Sequence, residues 1–222
     1  MTTKLVFDAR QYWWKRKLLV VSTVMMLASA TGLGVVYGPL GVAEVRYWLA
    51  QRLLGRESGF GRILAQKLEV EASVAPDAWF SVVIPKIQAR SKVIANVDAG
   101  NKQEYLAALK QGIAHAAGTG LPGVASDLNR TIVLFAHSTD APWNMARYNA
   151  VFYLLNKLEQ GDRIEIYFQG VKHEYRVEEL RVVSAQDLSY YQPQIKEEIL
   201  ILQTCYPPGT TWKRLVVVAR PI

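Results

Sequence analysis

Cysteine is almost absent: Cys205 is the only one in 222 residues. A single thiol excludes an intramolecular disulfide framework and any cysteine-rich zinc site. With only three histidines, a structural metal site has few ligands to draw on. Internal repeats and low-complexity segments are also missing. A second long hydrophobic run is missing too, so the sequence predicts at most one membrane-crossing helix. Charge is absent altogether from Leu18 to Leu40.

A net charge of +7 and a pI near 9.5 would suit a nucleic-acid binder. The placement of that charge argues against one. Lys4, Arg10, Lys15, Arg16 and Lys17, set against Asp8, put most of the excess in the first 17 residues. The remainder is nearly balanced, so no nucleic acid is expected as a partner.

The uncharged run Leu18–Leu40 follows that tail directly. A bilayer core needs about 20 apolar residues in a helix, so its length fits a crossing. Leu27-Ala28-Ser29-Ala30 offers small residues for signal-peptide cleavage, but a signal peptide has an apolar region of only about 7 to 15 residues. The run therefore reads as an uncleaved anchor. Basic residues stay on the cytoplasmic side, which puts the rest of the chain outside the cell. Tyr12, Trp13 and Trp14 suit the interfacial belt.

Four regions result: a basic cytoplasmic tail (1–17), an anchor (18–40), a helical stalk or packed helices (41–78), and a main domain (79–222). In the third, Val42, Val45, Trp48, Leu49, Leu53 and Leu54 recur at helical spacing, before Gly55, Gly59 and Gly61. A further helix is expected over 63–70. In the main domain, strands are expected at 80–84, 92–97, 131–137, 163–168, 173–177, 180–183, 199–204 and 213–219. Helices are expected at 103–112 and 149–158, with His115 in the loop after the first. Seven or eight short strands predict a mainly β fold, a closed barrel or a sandwich.

Cys205 ends an apolar strand and precedes Pro207-Pro208-Gly209. Free cysteine is usually a buried small hydrophobe. Here it stands at a strand tip in a domain expected outside the cell, where a spare thiol is an oxidation liability. That placement points to a use. A cysteine nucleophile acts as thiolate and needs a base or cationic partner. His137, at the end of another apolar strand, is the candidate base. Arg214 opens the last strand; if 199–204 and 213–219 form a hairpin, it lies beside Cys205 and can stabilise a thiolate or an oxyanion.

Together these residues resemble the sortases. The segment Ile201-Leu202-Gln203-Thr204-Cys205-Tyr206-Pro207 through Arg214-Leu215-Val216-Val217-Val218-Ala219 is similar to that family's signature. Ile84-Pro85-Lys86-Ile87 resembles its first-strand motif. Leu109 to Gly123 resembles its histidine and Pro-Gly stretch, and Gly161-Asp162-Arg163-Ile164 the turn after its helix. Two departures are Ala136, where most members have glycine before the histidine, and Ile201-Leu202 without the usual leading threonine. These bear on the subfamily and touch no reacting group.

The resemblance implies a closed eight-stranded β-barrel and a cysteine transpeptidase that cleaves a Leu-Pro-x-Thr-Gly type signal between Thr and Gly. Cys205 would form the acyl thioester, His137 would act as general acid and then base, and Arg214 would hold the oxyanion or orient the substrate. Thr204, Ala136, Leu188, Tyr190 and Tyr191 would contact the substrate. The implied partners are secreted proteins with a C-terminal sorting signal and an amine acceptor, a cell-wall peptide or a pilin lysine. No cofactor and no metal are implied; the sequence leaves open whether calcium tunes the groove. Asp77-Ala78-Trp79 resembles a pilin-enzyme lid only faintly and runs straight into a strand, so a housekeeping-type or class D/E-like enzyme fits better. Two other cysteine enzymes fit worse: an L,D-transpeptidase would need a Ser-His-Gly-Cys context, and a papain-like protease would put cysteine before histidine. The alternative of another class is a membrane-anchored, non-catalytic β-barrel binding module in which Cys205 is inert.

Overall fold

The computed structural model describes residues 9–54, 75–125, 129–138, 151–194 and 196–222. Helix α1 runs unbroken over Ala9–Leu54. Within it, Trp13–Val35 is the one described helical segment long and apolar enough to cross a membrane. The helix expected at 63–70 lies outside the described residues.

The rest is a closed barrel. Its strands are β1 (Phe80–Ile84), β2 (Ala89–Val97), β3 (Ile113–Ala116), β4 (Thr131–Phe135), β5 (Arg163–Phe168), β6 (Val171–Ser184), β7 (Ile199–Tyr206) and β8 (Lys213–Pro221). They close in the order β1-β2-β3-β4-β7-β8-β6-β5. Two neighbouring pairs are parallel, β2 with β3 and β4 with β7. The β2–β3 crossover carries the short helix α2 (Lys102–Leu109). Asn101 caps α2: its side-chain oxygen accepts from the N–H groups of Gln103 (3.1 Å) and Glu104 (3.3 Å).

Alternation decides which side chains fill the barrel. Ile132 and Leu134 of β4, Leu200 and Leu202 of β7, and Leu215, Val217 and Ala219 of β8 belong to the interior core. Their strand neighbours Val133, Ile201 and Val216 belong to a second apolar cluster on the outer face. That face carries the site.

The structure corrects three expectations. The two strands at 173–177 and 180–183 are one, β6, with a register shift between Val177 and Glu179. A bulge absorbs the extra residue without ending the strand. The helix expected at 149–158 is, over its described part, a turn followed by a single 3-10 turn at Leu155–Lys157. There Phe152, Leu154, Leu155 and Leu158 are buried in the core, so tertiary packing overrode helical propensity.

His115 is the third case: it lies in strand β3, and its ring is buried. Nδ1 accepts from the Asn96 N–H (3.1 Å), which leaves the proton on Nε2, donated to the Gly120 carbonyl (2.8 Å). Asn96 sits in the left-handed region, φ 57°, at the register shift of β2. His115 thus satisfies an N–H that the β2–β3 ladder leaves over. Burial holds its pKa below the ordinary value, against the opposing pull of the Gly120 carbonyl. The unfolded chain therefore takes up this proton near pH 6.5, while the folded chain does so only at lower pH. Stability is expected to hold above about pH 6.5 and to fall below it, with a slope of up to about 1.4 kcal/mol per pH unit. Urea unfolding across pH 7 to 5, compared with His115→Gln, checks this: the variant should lose that part of the slope.

A second structural pin sits at the other end of β7. Buried Glu198 accepts from the Tyr175 hydroxyl (2.6 Å) and from the Gly123 N–H (3.1 Å). Burial, with Glu198 adding to it, pushes the Tyr175 phenol far up. Gly123 has φ 68°, and a Cβ there would come within 2.4 Å of the His173 ring. Gly123→Ala is expected to cost about 2 kcal/mol from the left-handed backbone and the overlap. A fall in the urea midpoint with unchanged m-value would show it.

Candidate active site

The site is built by three strand ends on one side of the barrel. In the β7–β8 hairpin, Cys205 pairs directly with Arg214. Cys205 shares its strand face with Ile201 and Gln203, and Arg214 shares its own with Val216 and Val218. Both side chains therefore fall on the outer face.

β4 runs parallel to β7, with Phe135 opposite Gln203. The pairing continues past the end of β4: the Ala136 N–H donates to the Gln203 carbonyl (3.2 Å) and the Thr204 hydroxyl to the Ala136 carbonyl (2.9 Å). Two residues beyond Phe135, His137 comes level with Cys205 on the neighbouring strand line, where strands lie about 4.8 Å apart. Cys205 and Arg214 thus meet across one hairpin, and the parallel pairing of β4 with β7 brings the His137 segment alongside from much earlier in the chain.

Arg214 is partly buried. Its Nη1 donates to the carbonyls of Thr211 and Lys213, both at 3.1 Å. None of the ion pairs among the described residues engages it. The guanidinium is thus tethered by one nitrogen, which leaves its other N–H groups for a ligand's oxygen.

The segment between β6 and β7 folds back over this face. Tyr190 and Tyr191 have ring centres 4.9 Å apart, tilted at 38°, and pack on the outer apolar cluster. The Tyr191 hydroxyl donates to Gln203 Oε1 (2.8 Å). Burial pushes the Tyr191 phenol up to about 12, while the Arg214 guanidinium pulls against it. Tyr190 is raised further by burial, with Arg214 again opposing. The two rings therefore form a wall beside Arg214. Beyond them along β7, a cleft of about 250 Å³ opens over Thr131, Ile199, Ile201 and Val218, with Tyr190 and Arg220 on its sides.

The remaining candidates fall differently. Thr204 and Ala136 are buried. Thr204 shares the inward parity of Leu200 and Leu202, so it is a clamp between β7 and the His137 segment and offers no surface to a ligand. Leu188 is 62% exposed, at the start of the turn that carries the tyrosines. Gln203 was not singled out from sequence, although a period of two from Cys205 places it on the same face. Among the described residues, no group of three or more His, Cys, Asp or Glu could hold a metal ion.

The Cys205 thiol and the Arg214 guanidinium stand opposite each other on an apolar face, with the His137 segment on the next strand line; these are residue types that nucleophilic acyl transfer uses. The family model described as the sortase domain matches residues 82–222. The chain is 28% identical over 142 residues to Sortase D of Bacillus subtilis (strain 168), covering 63% of this chain and 61% of that protein. The match thus spans less than two thirds of that relative's length. Sortase C1 from Streptococcus suis superimposes with a TM-score of 0.52 at 26% identity, covering 78% of this chain and 94% of that one. Sortase C-1 from Actinomyces oris shares the fold, with a TM-score of 0.53 at 24% identity over 72% of this chain and 82% of that one.

Proposed function

This chain belongs to the sortase family, and from that premise we propose that it is a membrane-anchored cysteine transpeptidase acting on a C-terminal sorting signal of the Leu-Pro-x-Thr-Gly type. The observation that carries the residue roles is the direct pairing of Cys205 with Arg214, beside the segment that ends in His137.

The Cys205 thiolate attacks the carbonyl carbon of the Thr–Gly bond. The oxygen gains negative charge, and Arg214 stabilises it. As the C–N bond breaks, His137 donates its proton to the leaving glycine amine, and a thioester remains on Cys205. An incoming amine then attacks the thioester carbonyl and loses a proton to His137. The new amide forms, the C–S bond breaks and the thiolate returns. The acceptor is a cell-surface amine, a cell-wall peptide or a pilin lysine.

An extended peptide advances about 3.3 Å per residue. With its scissile carbonyl at Cys205, the upstream residues run along the outer face of β7 toward the Tyr190 wall and the cleft beyond. Val133, Ile201 and Val216 form the apolar floor of that path. Trp13–Val35 supplies the anchor. The basic tail lies in the cytoplasm and the barrel outside the cell, facing secreted proteins still held at the membrane. Of the housekeeping-type and class D/E-like alternatives, the 28% identity to Sortase D of Bacillus subtilis favours the class D/E-like one.

The test is to incubate the chain with Leu-Pro-x-Thr-Gly peptides and seek an acyl adduct on Cys205 by mass spectrometry. An adduct that a primary amine discharges supports the proposal. No adduct, with a thiol that also resists alkylation in the folded protein, would favour a non-catalytic binding module.

A further inference from the structure

Helix α1 does not end its work at the membrane. Beyond the crossing segment it presents two different faces. Ala43, Tyr47 and Ala50 lie on one stripe at helical spacing. Ala43 and Tyr47 pack against the barrel core, and Ala50 is buried. Glu44 pairs with Lys157 at 3.5 Å, and the Lys157 ammonium lies 5.8 Å from the Tyr47 ring centre. The same carboxylate reaches Tyr153, whose pKa is raised by burial and by Glu44. This stripe is docked on the turn that leads into β5.

The opposite stripe is apolar and uncovered. Val42, Val45, Trp48 and Leu49 are between 45% and 56% exposed. At 100° per residue they fall on the far side of the helix from Ala43, Tyr47 and Ala50. Arg52 stacks on Trp48, 4.1 Å from the ring centre. An aromatic with a cation over it is the composition of a membrane-interface anchor.

Length decides what covers this stripe. Leu18 to Ala43 carry no charged side chain. That is about 26 residues, or roughly 39 Å of helix at 1.5 Å per residue. The hydrocarbon core is about 30 Å thick. Burying the whole uncharged run needs a tilt of about 40°, at the upper end of what membrane helices show. A helix leaving the bilayer at that slope has one side facing the membrane and one facing away. Trp48, five residues past Ala43, then rises only about 6 Å above the hydrocarbon, still within the headgroup layer.

We propose that residues 42–52 of α1 form a two-faced saddle between bilayer and barrel: Ala43, Tyr47 and Ala50 hold the barrel, while Val42, Val45, Trp48 and Leu49 rest on the outer headgroup layer. Arg52 meets lipid phosphate beside the Trp48 ring. The barrel is thereby seated on the membrane and does not swing on a free stalk. The inference rests on the reading of α1 as a transmembrane anchor whose uncharged run, Leu18–Ala43, lies in the bilayer.

The test uses the full chain in phosphatidylcholine–phosphatidylglycerol vesicles. Alkaline carbonate extraction comes first. The fluorescence of wild-type chain and Trp48→Phe is then compared, with lipids brominated near the headgroup end of the acyl chains and with aqueous iodide. The emission that the substitution removes is expected to be quenched by the bromolipid and not by iodide. Emission quenched by iodide alone would put Trp48 in water and overturn the saddle. Emission quenched by neither would mean a second copy or another protein covers the stripe, which also overturns it. Because Trp48 is exposed, the variant is expected to fold, and unchanged cleavage of a soluble peptide would confirm it. Release of the chain by carbonate would instead overturn the anchor reading itself.

Discussion

Cys205→Ala is expected to remove acyl-enzyme formation completely and to lower transpeptidation by more than about 10³-fold. The reason is chemical. No other cysteine exists in the chain, so no second thiolate can take over the attack on the amide. His137 and Arg214 would still bind and polarise a carbonyl, but they provide no covalent route to split the exchange into two steps. The fold should survive: Cys205 is only partly buried, on the outer face, and a loss of one sulfur there is expected to change stability by less than about 1 kcal/mol. Mass spectrometry of the peptide-treated protein and a urea melt separate the two effects. Residual amine-dependent transfer near the wild-type rate would sink the assignment of the nucleophile.

Arg214→Ala is expected to lower kcat by about 10² to 10³-fold, with a smaller change in KM. Charge on the carbonyl oxygen appears only as the tetrahedral species forms, so a donor aimed there contributes mainly to the transition state. Arg214→Lys should recover only a small part of that loss. The native guanidinium is held by two carbonyls through Nη1 while its remaining N–H groups stay directed elsewhere. A lysine has one compact ammonium, and the same two carbonyls would compete for it. Steady-state kinetics with a fluorogenic peptide would show the split. A loss in the Lys variant that is only slightly smaller than in the Ala variant is the expected result, whereas full rescue by lysine would mean that charge alone matters.

Several parts of this arrangement were legible in the residues. Strands β1, β4, β5, β7 and β8 show as short apolar or alternating runs bounded by turn residues. The β5–β6 turn at Gln169-Gly170 is one such boundary, and both residues there have positive φ. Cys205 and Arg214 could be paired because a hairpin is local: register follows from the turn between two consecutive strands. His137 was harder. Its approach to Cys205 depends on β4 and β7 lying side by side in parallel, although the whole of β5 and β6 intervenes in the chain.

Where the reading went astray, the cause was long-range packing. His115 looked like a loop residue because four-residue β3 is too short to show a period; the ladder with β2 and β4 makes it a strand. Helical spacing singled out Val42, Val45, Trp48 and Leu49 along α1 but left open whether that segment is a stalk or packs on the domain. The barrel takes the opposite side: the small Ala43 and Ala50, with the Tyr47 ring laid against the core between them. Small residues permit close approach of a helix, while the larger apolar stripe is left for another environment.

The sequence alone determined the things that depend on neighbours along the chain. These are an uncharged run of membrane length, a lone thiol at a strand tip, and an arginine one hairpin away. Only the tertiary structure decided which side of each strand faces out. Closure of the barrel fills its interior with the even positions of β4 and β7 and the odd positions of β8. That forces Cys205 and Arg214 together onto the outer face, and buries Thr204 as the clamp between β7 and the His137 segment. A strand's two faces are equivalent until a core claims one of them, and the core is assembled from residues distant in sequence.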